Sequence, residues 1–221
     1  MNRLLSIVVV AAVAAAGLFY LNSSRSSDPS QLILGAQAQA AEDVDTSIVA
    51  EISAGDPNAP VTVMEYASYT CPHCRSFHEG AFKDLKADYI DTGKINFIYR
   101  EVYFDRPGLW AGMVARCDNA QKYFPIAQMI YEKQSQWTQG ESTEIAANLR
   151  RIGLAAGLDG DVLEACMNDA TMAQAMYAKF QQNVEADDVS GTPTFLVDGV
   201  KVDNTEFQRN FRTILDAKID G

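Results

Sequence analysis

Hydrophobic positions along the chain change their period several times, and each change marks an element. Val61-Thr62-Val63-Met64-Glu65-Tyr66 reads as a strand, set off by the turn cluster Gly55-Asp56-Pro57-Asn58-Ala59-Pro60 before it. Phe77, Ala81, Phe82, Leu85 and Tyr89 then recur at helical spacing, predicting one helix that Asp91-Thr92-Gly93 stops. A second strand follows over 95–102, so strand, helix and strand open a parallel βαβ unit. From 106 to 187 only helical stretches are found, at 109–120, 125–134, 142–153, 161–168 and 172–185. Strand character returns at Thr194-Phe195-Leu196-Val197 and Val200-Lys201-Val202, joined by the Asp198-Gly199 hairpin signal. Phe207, Phe211, Ile214 and Leu215 give a closing amphipathic helix. The expected architecture is α/β: residues 48–105 and 188–221 form one domain, interrupted by an all-helical insertion at 106–187.

The N-terminus is patterned differently. After Arg3 the first 21 residues are apolar apart from Ser6 and carry no further charge, which is an export signal. The run exceeds a usual cleaved h-region and approaches the ~20 residues that span a bilayer, so both a signal peptide and a retained membrane anchor are consistent with it. Ala36-Gln37-Ala38 and Ala38-Gln39-Ala40 resemble cleavage sites, although they lie well past the apolar run. Residues 22–47, rich in serine, alanine and glutamine, have no sustained period and read as a flexible tether. Either outcome puts the remaining chain in an oxidising compartment, expected to be the periplasm, where disulfides persist. The net charge of -11 disfavours nucleic acid and anionic lipid surfaces as partners.

The reactive candidate is Cys71-Pro72-His73-Cys74, placed where the first strand gives way to a helix. Two cysteines at this spacing close and reopen a small disulfide ring with little backbone movement. Cys71 sits where unpartnered N–H groups and the helix dipole favour negative charge, so its thiolate is stabilised. Pro72 suits the first helical position, and His73 is expected to favour the thiolate by hydrogen bond or positive charge. Cys74, deeper in the helix, is the expected resolving cysteine. The alternatives are a structural disulfide or half of a zinc site, but zinc needs four ligands and the remaining candidates are only His78, Cys117 and Cys166; no metal is expected. Cys117 and Cys166, left over in the helical block, are either bridged to each other or two buried free thiols. Glu65, six residues before Cys71, is either an edge-exposed glutamate or a lone buried carboxyl whose pKa is raised. Trp110, Met113, Met129 and Tyr131 read as core or domain-interface positions, and Asp187-Asp188 as a solvated helix end.

The cysteine motif, Gly191-Thr192-Pro193-Thr194 and the run 56–65, with the helical block between them, resemble the DsbA family of exported thiol–disulfide oxidases over about residues 48–219. The resemblance implies a thioredoxin fold with an all-helical insertion domain, and a redox-active Cys71–Cys74 disulfide with no other cofactor. It implies a cis proline at Pro193 packed against that disulfide, with Thr192 and Pro193 contacting substrate. For Glu65 it implies proton transfer to the inner cysteine, and for Cys117 and Cys166 the extra helical-domain disulfide of some alphaproteobacterial members. The implied partners are reduced or unfolded exported proteins and a membrane reoxidase of the DsbB type, with the protein itself a monomer. Two positions depart from the pattern. His78, followed by Glu79, stands where other members place an acid, and Thr192 stands where well-known oxidases have valine and bacterial disulfide isomerases have threonine. Oxidase is the first expectation, isomerase or reductase the second, and a non-enzymatic metal- or protein-binding module the third.

Overall fold

The computed structural model describes residues 44–221. The predicted segment 1–21, both candidate cleavage sites and the tether as far as residue 43 lie outside the described residues. In chain order the elements are β1 (Ile52–Gly55), β2 (Val61–Ala67), α1 (Pro72–Glu79), α2 (Ala81–Leu85), β3 (Ile95–Glu101), α3 (Arg106–Arg116), α4 (Tyr123–Glu132) and α5 (Gln134–Trp137). There follow α6 (Ser142–Ala155), α7 (Gly160–Met167), α8 (Ala170–Ala186), β4 (Thr194–Val197), β5 (Val200–Val202) and α9 (Asn204–Ile219). The strands make one sheet in the order β1-β3-β2-β4-β5, with β2 and β3 parallel and every other neighbouring pair antiparallel.

The period of two decides what the sheet presents to its core. Val61, Val63, Glu65 and Ala67 fall on one buried face of β2, and Ile95, Phe97, Tyr99 and Glu101 on the matching face of β3. The parallel register sets Glu65 beside Tyr99 and Ala67 beside Glu101. Two carboxylates therefore enter a core that is otherwise aliphatic and aromatic. That core is continuous, running from the sheet into the helices between β3 and β4 through Ile126, Ile130, Trp137 and Leu149.

Three predicted elements change on folding. β1 escapes the sequence reading because Ile52 is its one strongly apolar residue; it forms by pairing along the edge of β3, from Ile52 opposite Tyr99 to Gly55 opposite Asn96. Gly55 is required there, with φ +93° and space for no Cβ, which would fall 2.2 Å from the Ile95 carbonyl oxygen. The single helix expected before residue 91 breaks at Gly80, whose φ of -114° and ψ of -107° leave the helical region, and its last turn, Lys86–Ile90, is π-helical. The stretch predicted at 109–120 ends at Arg116, because Asp118, Asn119 and Ala120 take left-handed φ values of 56°, 52° and 58°. Aspartate and asparagine tolerate that region, whereas alanine is strained in it.

Polar side chains tie the block between β3 and β4 to the turn that precedes α1. Glu101 accepts from Arg116 Nε at 2.7 Å and Nη2 at 2.6 Å, and from the Tyr123 hydroxyl at 2.8 Å, which in turn accepts from the Tyr69 hydroxyl at 2.8 Å. Asp105 caps α3 through the Gly108 N–H at 2.7 Å and accepts from the Thr70 hydroxyl at 2.8 Å. Gln134, buried at the start of α5, donates from Nε2 to the carbonyls of Tyr69 at 2.8 Å and Cys71 at 3.0 Å. Asp187 departs from its reading as a solvated helix end. It accepts from Arg100 Nη1 at 2.8 Å and from the Tyr66 hydroxyl, pinning the end of α8 to β2 and β3, while Asp188 is the exposed one. Cys117, just past α3, is disulfide-bonded to Cys166 in α7.

Two outcomes follow from these ties. With a sequence separation of 49 residues, the Cys117–Cys166 bond removes loop entropy from the unfolded chain, so the C117S/C166S variant should lose about 4 kcal/mol in urea unfolding. Gln134→Ala leaves two buried carbonyls without a donor and should cost about 2 kcal/mol in the same measurement; an unchanged midpoint would show that the clamp carries no stability.

Candidate active site

α1 begins at Pro72, and Cys71 is its N-cap residue, with extended φ of -80° and ψ of 121°. Proline at the first helical position loses no hydrogen bond, since that N–H has no acceptor in any helix. The open amides of the first turn therefore converge near the Cys71 sulfur. Cys71 is 8% exposed and Cys74 fully buried, and both are free thiols in this structure. The Cys71 thiol is lowered to about 5, foremost because the Cys74 thiol donates a hydrogen bond to it. Burial opposes the shift, while Thr192 and the backbone N–H groups of Cys74 and His73 reinforce it. The Cys71 sulfur lies 3.5 Å from the Thr192 carbonyl oxygen, an acceptor that suits the thiol. The Thr192 hydroxyl is buried and otherwise unpartnered, so it is the donor available to the thiolate.

His73 is placed differently from its sequence expectation. Its side chain is exposed, and the group through which it favours the thiolate is its backbone N–H rather than its ring. Cys74 moves the opposite way. Burial first, then its hydrogen bond to Cys71 and the negative charge of Glu65, push its thiol up. The pair thus ionises unequally, with one anion held at the rim and one protonated thiol beneath it. Pro193 is buried after a cis peptide bond from Thr192, and the start of β4 carries both residues to the Cys71 side of the site.

Glu65 is buried on β2, but it is not a lone carboxyl. His78, one helical turn past Cys74 and 2% exposed, brings Nε2 to 3.0 and 3.2 Å from the two Glu65 oxygens. The spacing of four puts His78 and Cys74 on one face of α1, and that was the available signal for the pairing. The His78 ring stacks on Tyr131 of α4, with centroids 4.3 Å apart, and meets Tyr99 of β3 at 5.8 Å. Tyr99 and Tyr131 share a 2.6 Å hydroxyl hydrogen bond, and burial pushes both phenols well up, so they stay protonated. Gln134, Thr70 and Asp105, which hold the turn before Cys71, carry no motif by which sequence reading would have found them. Cys117 and Cys166 lie apart from this constellation, bonded to each other. Among the described residues no group of three or more His, Cys, Asp or Glu side chains is arranged to hold a metal ion.

The thioredoxin family model matches residues 47–217. A Rickettsia prowazekii protein described as a protein-disulfide oxidoreductase is 30% identical over 167 residues, which cover 75% of this chain. The match spans 60% of that relative's length. Among solved structures, alpha-DsbA1 of Wolbachia pipientis aligns with a TM-score of 0.70 and 26% identity, covering 78% of this chain and 92% of the other. The fold also matches oxidised BdbD of Bacillus subtilis, at a TM-score of 0.69 and 21% identity over 79% of this chain and 96% of that one. The chain belongs to the thioredoxin family, in its DsbA-like branch.

Proposed function

We propose that the protein is a thiol–disulfide oxidoreductase that passes its Cys71–Cys74 disulfide to reduced proteins exported to the periplasm. The observation that carries this reading is the unequal ionisation of the two cysteines at one helix end. A substrate thiolate attacks the Cys71 sulfur, the Cys71–Cys74 bond breaks, and Cys74 leaves and is protonated. The substrate's second thiolate then attacks its own sulfur in the mixed disulfide and releases Cys71 as a thiolate. Two electrons pass from substrate to enzyme; of the two protons the substrate thiols give up to solvent, one is taken up by Cys74 and the other stays in solution, because Cys71 remains a thiolate. A membrane oxidase of the DsbB type is the expected acceptor that restores the disulfide, and no cofactor beyond the cysteine pair takes part.

Stabilising the Cys71 thiolate stabilises the reduced form and makes the disulfide a stronger oxidant. Lowering a thiol from 9.0 to about 5 supplies roughly 3 kcal/mol at pH 7. For a two-electron couple this corresponds to about 60 mV. That favours oxidation of substrates. Thr192 supports a second reading, isomerase or reductase, because threonine precedes the cis proline in bacterial isomerases and its hydroxyl serves the sulfur that bonds to substrate.

Thiolate absorbance of the reduced protein should titrate with a midpoint near 5. A group whose folded pKa is depressed contributes stability that is fully present above its unfolded pKa, shrinks as pH falls towards the folded pKa, and is lost below it. The reduced form should therefore gain about 2 kcal/mol relative to the oxidised form between pH 5 and 7 in urea unfolding; parallel stabilities would contradict the assignment. Equilibration with glutathione decides direction: an oxidase gives a potential well above that of thioredoxin, and a value near about -270 mV would sink the oxidase reading. Cys71→Ser should abolish reaction with reduced substrates.

A further inference from the structure

Cys71 presents its sulfur to the open amides of α1 through a ψ of 121°, and that angle orients the peptide plane between Cys71 and Pro72. A peptide plane is ordinarily fixed at both edges, by its carbonyl and by the N–H of the next residue. Proline has no N–H, so here the carbonyl alone can be anchored. It is anchored twice. The Arg75 N–H donates to it at 3.1 Å in the first bond of α1, and Gln134 Nε2 donates to it at 3.0 Å from the helical insertion. The same amide nitrogen reaches the Tyr69 carbonyl at 2.8 Å, so one side chain grips the turn on both sides of Thr70. Gln134 is 5% exposed, which leaves no bulk water to take its place. The other groups that act on the Cys71 sulfur are Cys74 and the His73 and Cys74 amides from α1, and Thr192 ahead of β4; none of them carries a charge.

We propose that Gln134 is a positioning residue for the cysteine chemistry: by gripping the Tyr69 and Cys71 carbonyls it holds the Cys71 sulfur before the first-turn amides, and so stabilises the reduced, anionic form more than the disulfide. The inference rests on the thiol–disulfide reading given above. A disulfide sulfur bears no charge and gains little from amides, so releasing the turn costs the oxidised form only two hydrogen bonds. The reduced form loses those bonds and part of the support of its anion as well. The donor dipoles of Gln134 act in the same direction, because they offset the negative end of the carbonyl on the residue that carries the anion. When the substrate's second thiolate closes the substrate disulfide, Cys71 departs as an anion, and the same positioning favours that departure. A side chain that merely supports the fold would weaken both redox forms alike and leave their ratio unchanged.

The test uses Q134M, which keeps the length of the side chain and removes both donors, and compares thiolate absorbance, equilibrium with glutathione and urea unfolding of each redox form. The Cys71 midpoint is expected to rise by about one unit, the equilibrium constant for oxidising glutathione at pH 7 to fall about tenfold, and the reduced form to lose about 1.4 kcal/mol more than the oxidised form. These are one change read three ways. Leu149→Ala opens a cavity in α6 without removing a donor from the turn, so it is expected to destabilise both forms equally and to leave the midpoint and the equilibrium constant in place. Equal losses of stability in the two forms of Q134M, with midpoint and equilibrium unchanged, would overturn the proposal, and so would a shift of the same size in L149A. Should Q134M fail to fold, Q134E decides: its carboxyl, kept protonated by burial against two carbonyls, retains one donor of the two, and the midpoint should rise by a smaller amount. No rise in Q134E would refute the role. A wild-type protein that exchanges no disulfide with glutathione would instead overturn the oxidoreductase reading on which the inference stands.

Discussion

Two carboxylates on the inward face of the sheet, Glu65 and Glu101, can be tolerated only with partners that are themselves buried, and much of the structure is arranged around supplying them. Taking one partner from a buried ion pair costs about 3–5 kcal/mol, more than most single contacts contribute. Arg116 brings α3 to Glu101, and His78 brings α1 to Glu65. The Glu101 cluster extends through Tyr123 to Tyr69, two residues before Cys71. The helical block is thereby bound to the turn from which the reactive cysteine projects, and the same core that gives stability also fixes the active site.

The site itself is asymmetric by construction. Pro72 opens α1, the first-turn amides face the Cys71 sulfur, and the helix carries Cys74 inward where burial and the Glu65 charge keep it protonated. Thr192 adds a hydroxyl from the far end of the chain. Holding the thiolate requires that the turn at 68–71 not move, and Gln134, Asp105 and Tyr123 clamp it from the helical side. Asp187 does the corresponding service for the approach to Thr192, by fastening the end of α8 to Tyr66 and Arg100. The insertion is thus a support for both sides of the cysteine pair as well as a second layer of core.

The sequence by itself determined the strands, read at 61–66 and 95–102 and ending within one residue of those bounds, the hairpin, the run of helices between them and the placing of Cys71 and Cys74 at a helix start. These follow from local rules, since the period of burial and the open amides of a first turn depend on near neighbours in the chain. Only the tertiary structure decided β1, which exists because β3 offers it an edge, and the break at Gly80. It also decided that the His73 ring stays outside while His78 answers Glu65, and that Gln134 and Asp187 hold the two approaches to the site. A buried polar group must find its partner across the core, from residues that lie 13 positions away for Glu65 and His78 and 63 for Cys71 and Gln134. Such pairings are set by which elements the hydrophobic core brings face to face, a quantity that no local pattern contains.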